Sequence, residues 1–228
     1  MAFYQNLHEW NVSPKEAINL QNELRHQVKV RPLTKPVQTI AGADISFDRF
    51  SPIFYCAIVV LNLTTLETIE EVSSVSKVTF PYIPGLLSFR EIPSILEAWS
   101  KLKLEPDAVM FDGHGIAHPR RLGIASHAGL VLKRPTFGCA KSILVGRHQA
   151  LESERGSLAH LIDREESVGV ALRTKTNVQP IYVSVGTEID LNSAIDITLQ
   201  CFGGYRQPEP TRRAHLLVNE IRRSSRSS

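Results

Sequence analysis

The sequence predicts an α/β fold with a mixed central sheet flanked by helices. Two observations support this prediction. Three β-rich segments joined by short turns follow an N-terminal helical segment, and short apolar strands then alternate with helical segments. The length of 228 residues suits one domain, and the 43% of hydrophobic residues can build one sizeable core.

The first predicted element is a helix that begins after Ser13. Serine can cap a helix, Pro14 suits the first helical position, and Glu16 can return to the cap as in a capping box. We expect this helix to run to about Val30, because Pro32 prevents its continuation.

Three predicted strands follow and form an antiparallel meander. They span residues 37–45, 55–63 and 68–78, and the turns between them are short. Short turns favour antiparallel pairing, since a parallel connection needs a crossover of roughly a dozen or more residues.

Helices and strands alternate through the rest of the chain. The predicted helices are 88–102 (with Pro93 near its first turn), 125–132, 192–202 and a last helix after Pro210, and the predicted strands are 108–111, 136–140 and 181–185. This order is typical of the ribonuclease H-like fold. We find no linker or repeat, so we expect one domain over residues 1–228 with a frayed polar tail at 224–228.

Composition limits the classes of protein that fit this sequence. The net charge of +3 and the pI of about 8.8 are compatible with a polyanionic partner but do not require one. Three scattered cysteines argue against a disulfide framework. The N-terminus lacks a signal-peptide pattern, and no apolar run approaches the roughly 20 residues of a membrane span. We therefore expect a soluble, cytoplasmic protein.

Three acidic residues stand where predicted elements begin or end. Asp44 ends the first strand, Glu91 lies early in a helix, and Asp112 ends a later strand. Taken singly, each suits a turn, a cap or the dipole of a helix. If the two strands are neighbours, Asp44 and Asp112 project at adjacent points of the sheet. Mg²⁺ prefers such oxygen ligands, and the metal site could activate a water for phosphodiester hydrolysis.

The glycine-rich segment 112–121 supports competing interpretations. His114 and His118 are four residues apart and could form a zinc site with Asp112. That spacing needs a helix, which the glycines and the proline of this segment disfavour. The glycines instead suit a close approach of the backbone to a ligand, or a plain turn.

The proline-rich segment before the helix at 88–102 is a rigid tip. It reads Pro81-Tyr82-Ile83-Pro84, too rich in proline for regular structure. Such a tip can simply stack its tyrosine on the protein surface. It is equally suited to wedging between bases and replacing the stacking of an extruded base.

Five motifs along the chain resemble the endonuclease V family. In order they are AGAD (41–44), PYIPGLLSFRE (81–91), DGHGIAHPRRLGIASHAG (112–129), GCAK (138–141) and GYRQPEPTR (204–212). A DGxG motif alone would be weak evidence for this family, whereas the two long blocks together are strongly specific for it. The matches cover nearly the whole chain. Cys139 stands where the family often has an aliphatic residue, which a buried thiol can replace in packing.

The resemblance implies a metal centre and its basic partners. Asp44, Glu91 and Asp112 would bind Mg²⁺, for which Mn²⁺ would substitute. His215 would hold a water of the metal or act on the attacking water. Lys141 would steady developing charge at the scissile phosphate. On the residues alone, His215 could equally be a packed side chain and Lys141 a solvated one.

The resemblance also implies a nucleic-acid interface. The wedge would be Pro81, Tyr82, Ile83 and Pro84. The base pocket would be Gly85, Leu87, Gly113, Gly115 and Gly123. His118 would contact the nucleic-acid backbone. Main-chain N–H groups in such a pocket can donate to the 6-oxo group of hypoxanthine, whereas adenine presents an amine there.

The implied reaction is hydrolysis of the second phosphodiester bond 3′ to inosine in DNA. It leaves 3′-hydroxyl and 5′-phosphate ends, and we expect a monomer acting in repair of damaged DNA. Three alternatives stay open: an endonuclease for inosine-containing RNA, a non-catalytic binder of distorted nucleic acid, and a zinc hydrolase.

Overall fold

The computed structural model describes residues 3–49 and 51–225. Its elements follow one another as α1 (Pro14–Leu24), β1 (Thr39–Phe47), β2 (Ile53–Asn62), β3 (Thr68–Lys77), α2 (Leu87–Trp99), β4 (Ala108–Phe111), α3 (Ile124–Leu132), β5 (Thr136–Ala140), β6 (Leu158–Asp163), β7 (Glu166–Leu172), β8 (Ile181–Thr187), α4 (Leu191–Gln200) and α5 (Glu209–Ser224). The predicted α/β class with a mixed sheet is confirmed.

One eight-stranded sheet organises the molecule, in the order β3-β2-β1-β4-β5-β8-β7-β6. The first three strands form the predicted antiparallel meander. β4 pairs parallel with β1 on one side and with β5 on the other. The five strands β3-β2-β1-β4-β5 therefore have the ribonuclease H-like arrangement, the fold that the order of elements along the sequence predicts.

Helices cover both faces of the central strands. Ala41 and Val109 face α2 and α3, whereas the neighbouring Ile40 and Met110 face α4 and α5. Strands that are buried on both faces read as continuous apolar runs, as residues 55–61 of β2 do, because neither face meets water.

The first helix is capped as the sequence predicts but ends earlier. The Ser13 hydroxyl accepts from the Glu16 amide, and the Glu16 carboxylate accepts from the Ser13 amide. The helix ends at Leu24 and tightens into a 3-10 turn over Arg25–Gln27, so the prediction of a helix as far as Val30 is wrong.

Four further differences from the prediction concern elements rather than class. β1 continues to Phe47, because its pairing with β2 extends beyond its pairing with β4, so Asp44 lies within the strand and does not end it. The hairpin of β6 and β7 is absent from the predicted elements. Pro93 is the seventh residue of α2, beyond its first turn. Ser224 is the last residue of α5, while residues 226–228 of the expected frayed tail lie outside the described residues.

Candidate active site

Parallel pairing of β1 with β4 brings two of the predicted carboxylates side by side. The last paired residues are Ala43 and Phe111, and each is followed directly by an aspartate. The side chains of Asp44 and Asp112 are only 15% and 13% exposed. The pKa of Asp44 is raised, first because burial penalises its charge and then because Asp112 repels it.

The third carboxylate comes from α2. Glu91 lies in the second turn of that helix, partly buried. Its pKa is raised to about 8, first by burial and then by the charges of Asp44 and Asp112. Three elements that are distant in sequence therefore direct mutually repelling carboxyl groups toward one place.

Two basic side chains and one amide contact these carboxylates. Lys141, the first residue after β5, places its Nζ 2.5 Å from Asp112 Oδ2. His215 of α5 places its Nδ1 2.7 Å from Asp44 Oδ2, and the His215 side chain is 45% exposed. Gln207, which the sequence analysis missed, donates to Asp112 Oδ2 at 3.3 Å. Its position in the GYRQPEPTR motif is the only sequence signal for it.

A close approach of α5 to β1 brings His215 to Asp44. A Cβ on Gly42 would lie 2.1 Å from the backbone carbon and oxygen of Pro210, so only glycine allows this contact. Asn219, one turn beyond His215, donates to the His215 carbonyl oxygen at 2.8 Å and accepts from Ser46 of β1 at 2.9 Å. The carbonyl and hydroxyl contacts of Asn219 fix this turn of α5 against the strand.

The carboxylate set suits a divalent cation. Like charges held together and shielded from water are costly unless a cation offsets them, and oxygen donors are what Mg²⁺ prefers. As the side chains stand, no group of three or more His, Cys, Asp or Glu within 3–49 and 51–225 is arranged to hold an ion. Asp112 is engaged by Lys141 and Gln207, and Asp44 by His215.

A cavity of about 290 Å³ lies beside the carboxylates and contains most of the predicted base pocket. Gly113, which directly follows Asp112, lines it, so the cavity and the carboxylate site share one segment. The predicted pocket residues that line it are Gly85, Leu87, Gly113 and Gly123.

Gly115 does not line this cavity, contrary to its predicted place. Its amide donates to the Ser184 hydroxyl at 2.9 Å, and its carbonyl oxygen accepts from Gly123 at 2.9 Å. A Cβ there would lie 1.8 Å from the Val185 carbonyl oxygen. Gly115 thus allows the loop to pack against β8, behind the cavity wall.

The predicted wedge forms one lip of the cavity. Tyr82 is 68% exposed, and it lines the mouth together with Ile83 and Pro84. Pro81 is exposed beside them but does not line the cavity. Ile143 and Leu144 line it too, at 41% and 44% exposure. The sequence analysis missed this second apolar pair, which follows Lys141 in a loop without periodicity.

Three donors converge on the carbonyl oxygen of Gly85, whose φ is +80°. They are Gln21 Nε2 at 3.0 Å, His118 Nε2 at 3.0 Å and Arg120 Nη2 at 2.8 Å. Gln21 also donates to the Leu122 carbonyl oxygen at 3.1 Å. The loop that carries the wedge is therefore anchored to α1 and to the 118–122 segment.

His118 is buried, with both ring nitrogens occupied within the chain. Its Nδ1 accepts from the Arg120 amide at 3.2 Å, and burial lowers its pKa to about 4. A neutral ring so engaged has no free N–H for a phosphate, which argues against the predicted contact to the nucleic-acid backbone. Because both ring nitrogens are so engaged, neither is free to bind a zinc ion shared with Asp112.

The described part of the chain contains no helix long and apolar enough to cross a membrane. This agrees with the absence of a long apolar run in the sequence.

Comparisons with known proteins agree on one family. The family model for endonuclease V matches residues 22–216. An endonuclease V from Myxococcus xanthus is 48% identical over 225 residues, which are 98% of this chain and 96% of that protein. The crystal structure of endonuclease V from Bacillus subtilis matches with a TM-score of 0.94 at 34% identity, covering 100% of this chain and 99% of that one.

A more distant structure contains nucleic acid. It is endonuclease V of Ciona intestinalis in complex with a 24mer DNA that contains an inosine followed by a ribo-adenosine. It matches with a TM-score of 0.82 at 25% identity, covering 92% of this chain and 98% of that one. By sequence and by fold, this chain belongs to the endonuclease V family and is a nucleic-acid endonuclease.

Proposed function

We propose that this endonuclease recognises a deaminated base, chiefly inosine, in DNA and hydrolyses the second phosphodiester bond 3′ to it, which starts repair. The adjacency of the cavity and the carboxylates carries this proposal. Asp112 and Gly113 are consecutive residues, one in the carboxylate cluster and the other in the cavity wall. A base held in the cavity brings its own 3′ strand across the carboxylates.

Asp44, Glu91 and Asp112 would hold Mg²⁺, or Mn²⁺ in its place. A divalent cation bound there would activate water and offset charge on the phosphate. The mutual repulsion of the three carboxyl groups supports this assignment, since it is the cost that a cation relieves.

The basic residues around the carboxylates would act on the water and the phosphate. His215 orients the attacking water or takes its proton, a role that its exposed ring and its contact with Asp44 support. Lys141 steadies developing charge at the scissile phosphate, and its 42% exposed side chain can turn from Asp112 to the substrate. The strand then breaks to leave 3′-hydroxyl and 5′-phosphate ends.

The wedge and the glycine-rich wall would select the base. Tyr82 and Ile83 replace the stacking of an extruded base, and extrusion costs least for a poorly paired base such as inosine. Gly85, Gly113 and Gly123 let the backbone approach the base, so that main-chain N–H groups can donate to a 6-oxo group. Guanine also has a 6-oxo group, and a tight wall excludes its additional 2-amino group.

An RNA substrate is the second candidate. The relative from Ciona intestinalis binds DNA in which a ribo-adenosine follows the inosine, so its site accommodates a 2′-hydroxyl at that position. The same tolerance in this chain would let it cut inosine-containing RNA.

We further propose that residues 1–228 act as one catalytic domain, as a monomer in the cytoplasm. A single sheet that runs through the described residues supports the first part of this proposal.

Mapping of the cleaved bond tests the proposed function. End-labelled DNA and RNA strands, each with one inosine, are incubated with Mg²⁺, with Mn²⁺ or with EDTA and separated on a denaturing gel. We expect one nick, directly 3′ to the nucleotide that follows inosine, and we expect EDTA to abolish it. Faster cleavage of RNA would favour the second candidate. Intact strands with a shifted mobility on a native gel would mean a non-catalytic binder, and cleavage that requires bound zinc would contradict the metal assignment.

A further inference from the structure

A chain of hydrogen bonds joins the N-terminal segment to the cavity wall. His8 Nδ1 lies 2.8 Å from the Glu9 carbonyl oxygen, and His8 Nε2 lies 2.8 Å from His127 Nε2. His127 Nδ1 in turn lies 3.0 Å from the Ser88 hydroxyl. Ser88 lines the cavity, and His127 is fully buried in α3.

The chemistry of each partner fixes the direction of this chain. Burial lowers the pKa of both histidines, that of His127 to about 3, so both rings are neutral. A carbonyl oxygen only accepts, so the His8 proton is on Nδ1 and its Nε2 is an acceptor. His127 must then donate from Nε2, which leaves its Nδ1 to accept the proton of Ser88.

Toward a ligand, the Ser88 hydroxyl can therefore act only as a hydrogen-bond acceptor. Its single proton is directed at His127, and only oxygen lone pairs remain for a ligand in the cavity. Within the described residues, no other hydrogen bond to the Ser88 hydroxyl is found. Aromatic contacts hold this acceptor in place, since the ring of His127 packs against Trp10 and Phe89 at centroid distances of 5.3 and 5.0 Å.

We propose that the Ser88 hydroxyl oxygen accepts the N1–H of the extruded 6-oxopurine and so makes Ser88 a specificity-determining residue. This inference rests on the proposed function and adds the atom that reads N1. Hypoxanthine carries a proton on N1, whereas N1 of adenine is a lone pair that would face the Ser88 lone pairs. Guanine also carries N1–H, so Ser88 discriminates against adenine and not against guanine.

The test compares two bases that differ at N1. One duplex carries deoxyinosine and the other carries unsubstituted purine, which has neither the 6-oxo group nor N1–H. Affinity is measured by fluorescence anisotropy in EDTA at mildly alkaline pH, where no cleavage is expected. We expect Ser88→Ala to weaken binding of the inosine duplex by roughly tenfold, the effect of one unpaired buried donor. Binding of the purine duplex should stay the same or tighten.

Two further variants separate this role from a structural one. Ser94→Ala removes a buried hydroxyl from the same helix, outside the cavity wall, and should change neither affinity. His127→Leu removes the acceptor that directs the Ser88 proton and should reduce the preference for inosine. His127→Asn offers an amide oxygen in its place and should restore part of that preference.

The outcomes distinguish this inference from the proposed function. If the wild-type chain neither binds nor cuts inosine duplexes, the proposed function fails. If it does both and Ser88→Ala keeps the full preference for inosine over purine, Ser88 is not the acceptor. An equal loss of affinity for both duplexes would likewise overturn the inference, because it would indicate damage to the pocket rather than loss of one contact.

Discussion

At the scale of single residues, the main feature of the candidate site is the electrostatic repulsion among its three carboxyl groups. Each of the three carboxyl groups would be ordinary in isolation. Together, Asp112 raises the pKa of both Asp44 and Glu91, and Asp44 also raises the pKa of Glu91. Burial makes this repulsion stronger, because little water screens it. Lys141 and His215 offset only part of the charge.

Replacement of His215 tests its assigned role. We expect His215→Ala to lower kcat by about 100-fold or more, the usual contribution of a positioned acid or base, with little change in Tm because the ring is 45% exposed. Single-turnover cleavage and thermal unfolding measure the two quantities. Leu216→Ala is the matched control, since that neighbour on α5 is 54% exposed and carries no group that could bind a metal or transfer a proton. Wild-type kcat in His215→Ala would assign His215 to packing.

The identities of site residues follow from the sequence more readily than their contacts do. The resemblance names Asp44 and His215, but the hydrogen bond between them depends on how closely α5 lies to β1. The roles of Gln207 and Ser88 depend on side-chain directions that no spacing encodes. That Gly115 does not line the cavity could not be inferred for a similar reason, because a glycine's use depends on which backbone passes beside it.

Close packing between elements positions the site at the next scale. The parallel register of β1 and β4 aligns Asp44 with Asp112, and the contact of Gly42 with Pro210 sets the distance from β1 to α5. Paired strands can change register only by whole residues, so the hydrogen bonds between β1 and β4 keep the two aspartates side by side. α5 can lie this close to β1 only because Gly42 has a hydrogen atom where any other residue has a Cβ.

An added methyl group at that contact should separate the two elements. We expect Gly42→Ala to lower the free energy of unfolding by about 1–3 kcal/mol, as overpacking does. It should also lower kcat, because His215 moves away from Asp44. Denaturant unfolding and single-turnover cleavage measure the two effects. Unchanged values of both would mean that β1 and α5 do not need their close contact.

The strength of the local signal explains which elements the sequence predicts. β2 and β4 are continuous or nearly continuous apolar runs, so their pattern identifies them. β6 has only one fully buried residue, Leu161, and therefore lacks a clear alternation. β7 is apolar over Val168–Leu172, but its partner strands could not be inferred without the sheet order.

At the scale of the whole molecule, buried neutral histidines link stability to pH. His127 has a pKa of about 3 in the folded chain against an ordinary value of 6.5, because burial penalises its charge. Between these values the unfolded chain binds the additional proton. The stability that His127 contributes is thus present above pH 6.5 and lost as the pH falls toward about 3.

This linkage predicts how steeply the free energy of unfolding depends on pH, and it predicts that replacement of His127 makes that dependence shallower. We expect the free energy of unfolding of the wild type to fall on acidification by an amount that includes up to about 1.4 kcal/mol per pH unit from His127. Urea denaturation at a series of pH values should show a shallower fall for His127→Gln. The exposed His160→Gln should follow the wild type. Parallel curves for all three proteins would mean that His127 is not buried in a neutral form.

The cleavage of a deoxyinosine duplex by the wild type and by Asp44→Asn, as Mg²⁺ is titrated, tests the central assignment most directly. Asparagine keeps the size of the side chain but removes the charge that faces Asp112 and His215. We predict a single nick 3′ to inosine that rises with Mg²⁺ in the wild type and is at least about 1000-fold slower in a folded Asp44→Asn variant, as expected for loss of a metal-binding carboxylate. Equal rates for the two proteins would contradict the assignment of the carboxylate cluster as the catalytic centre.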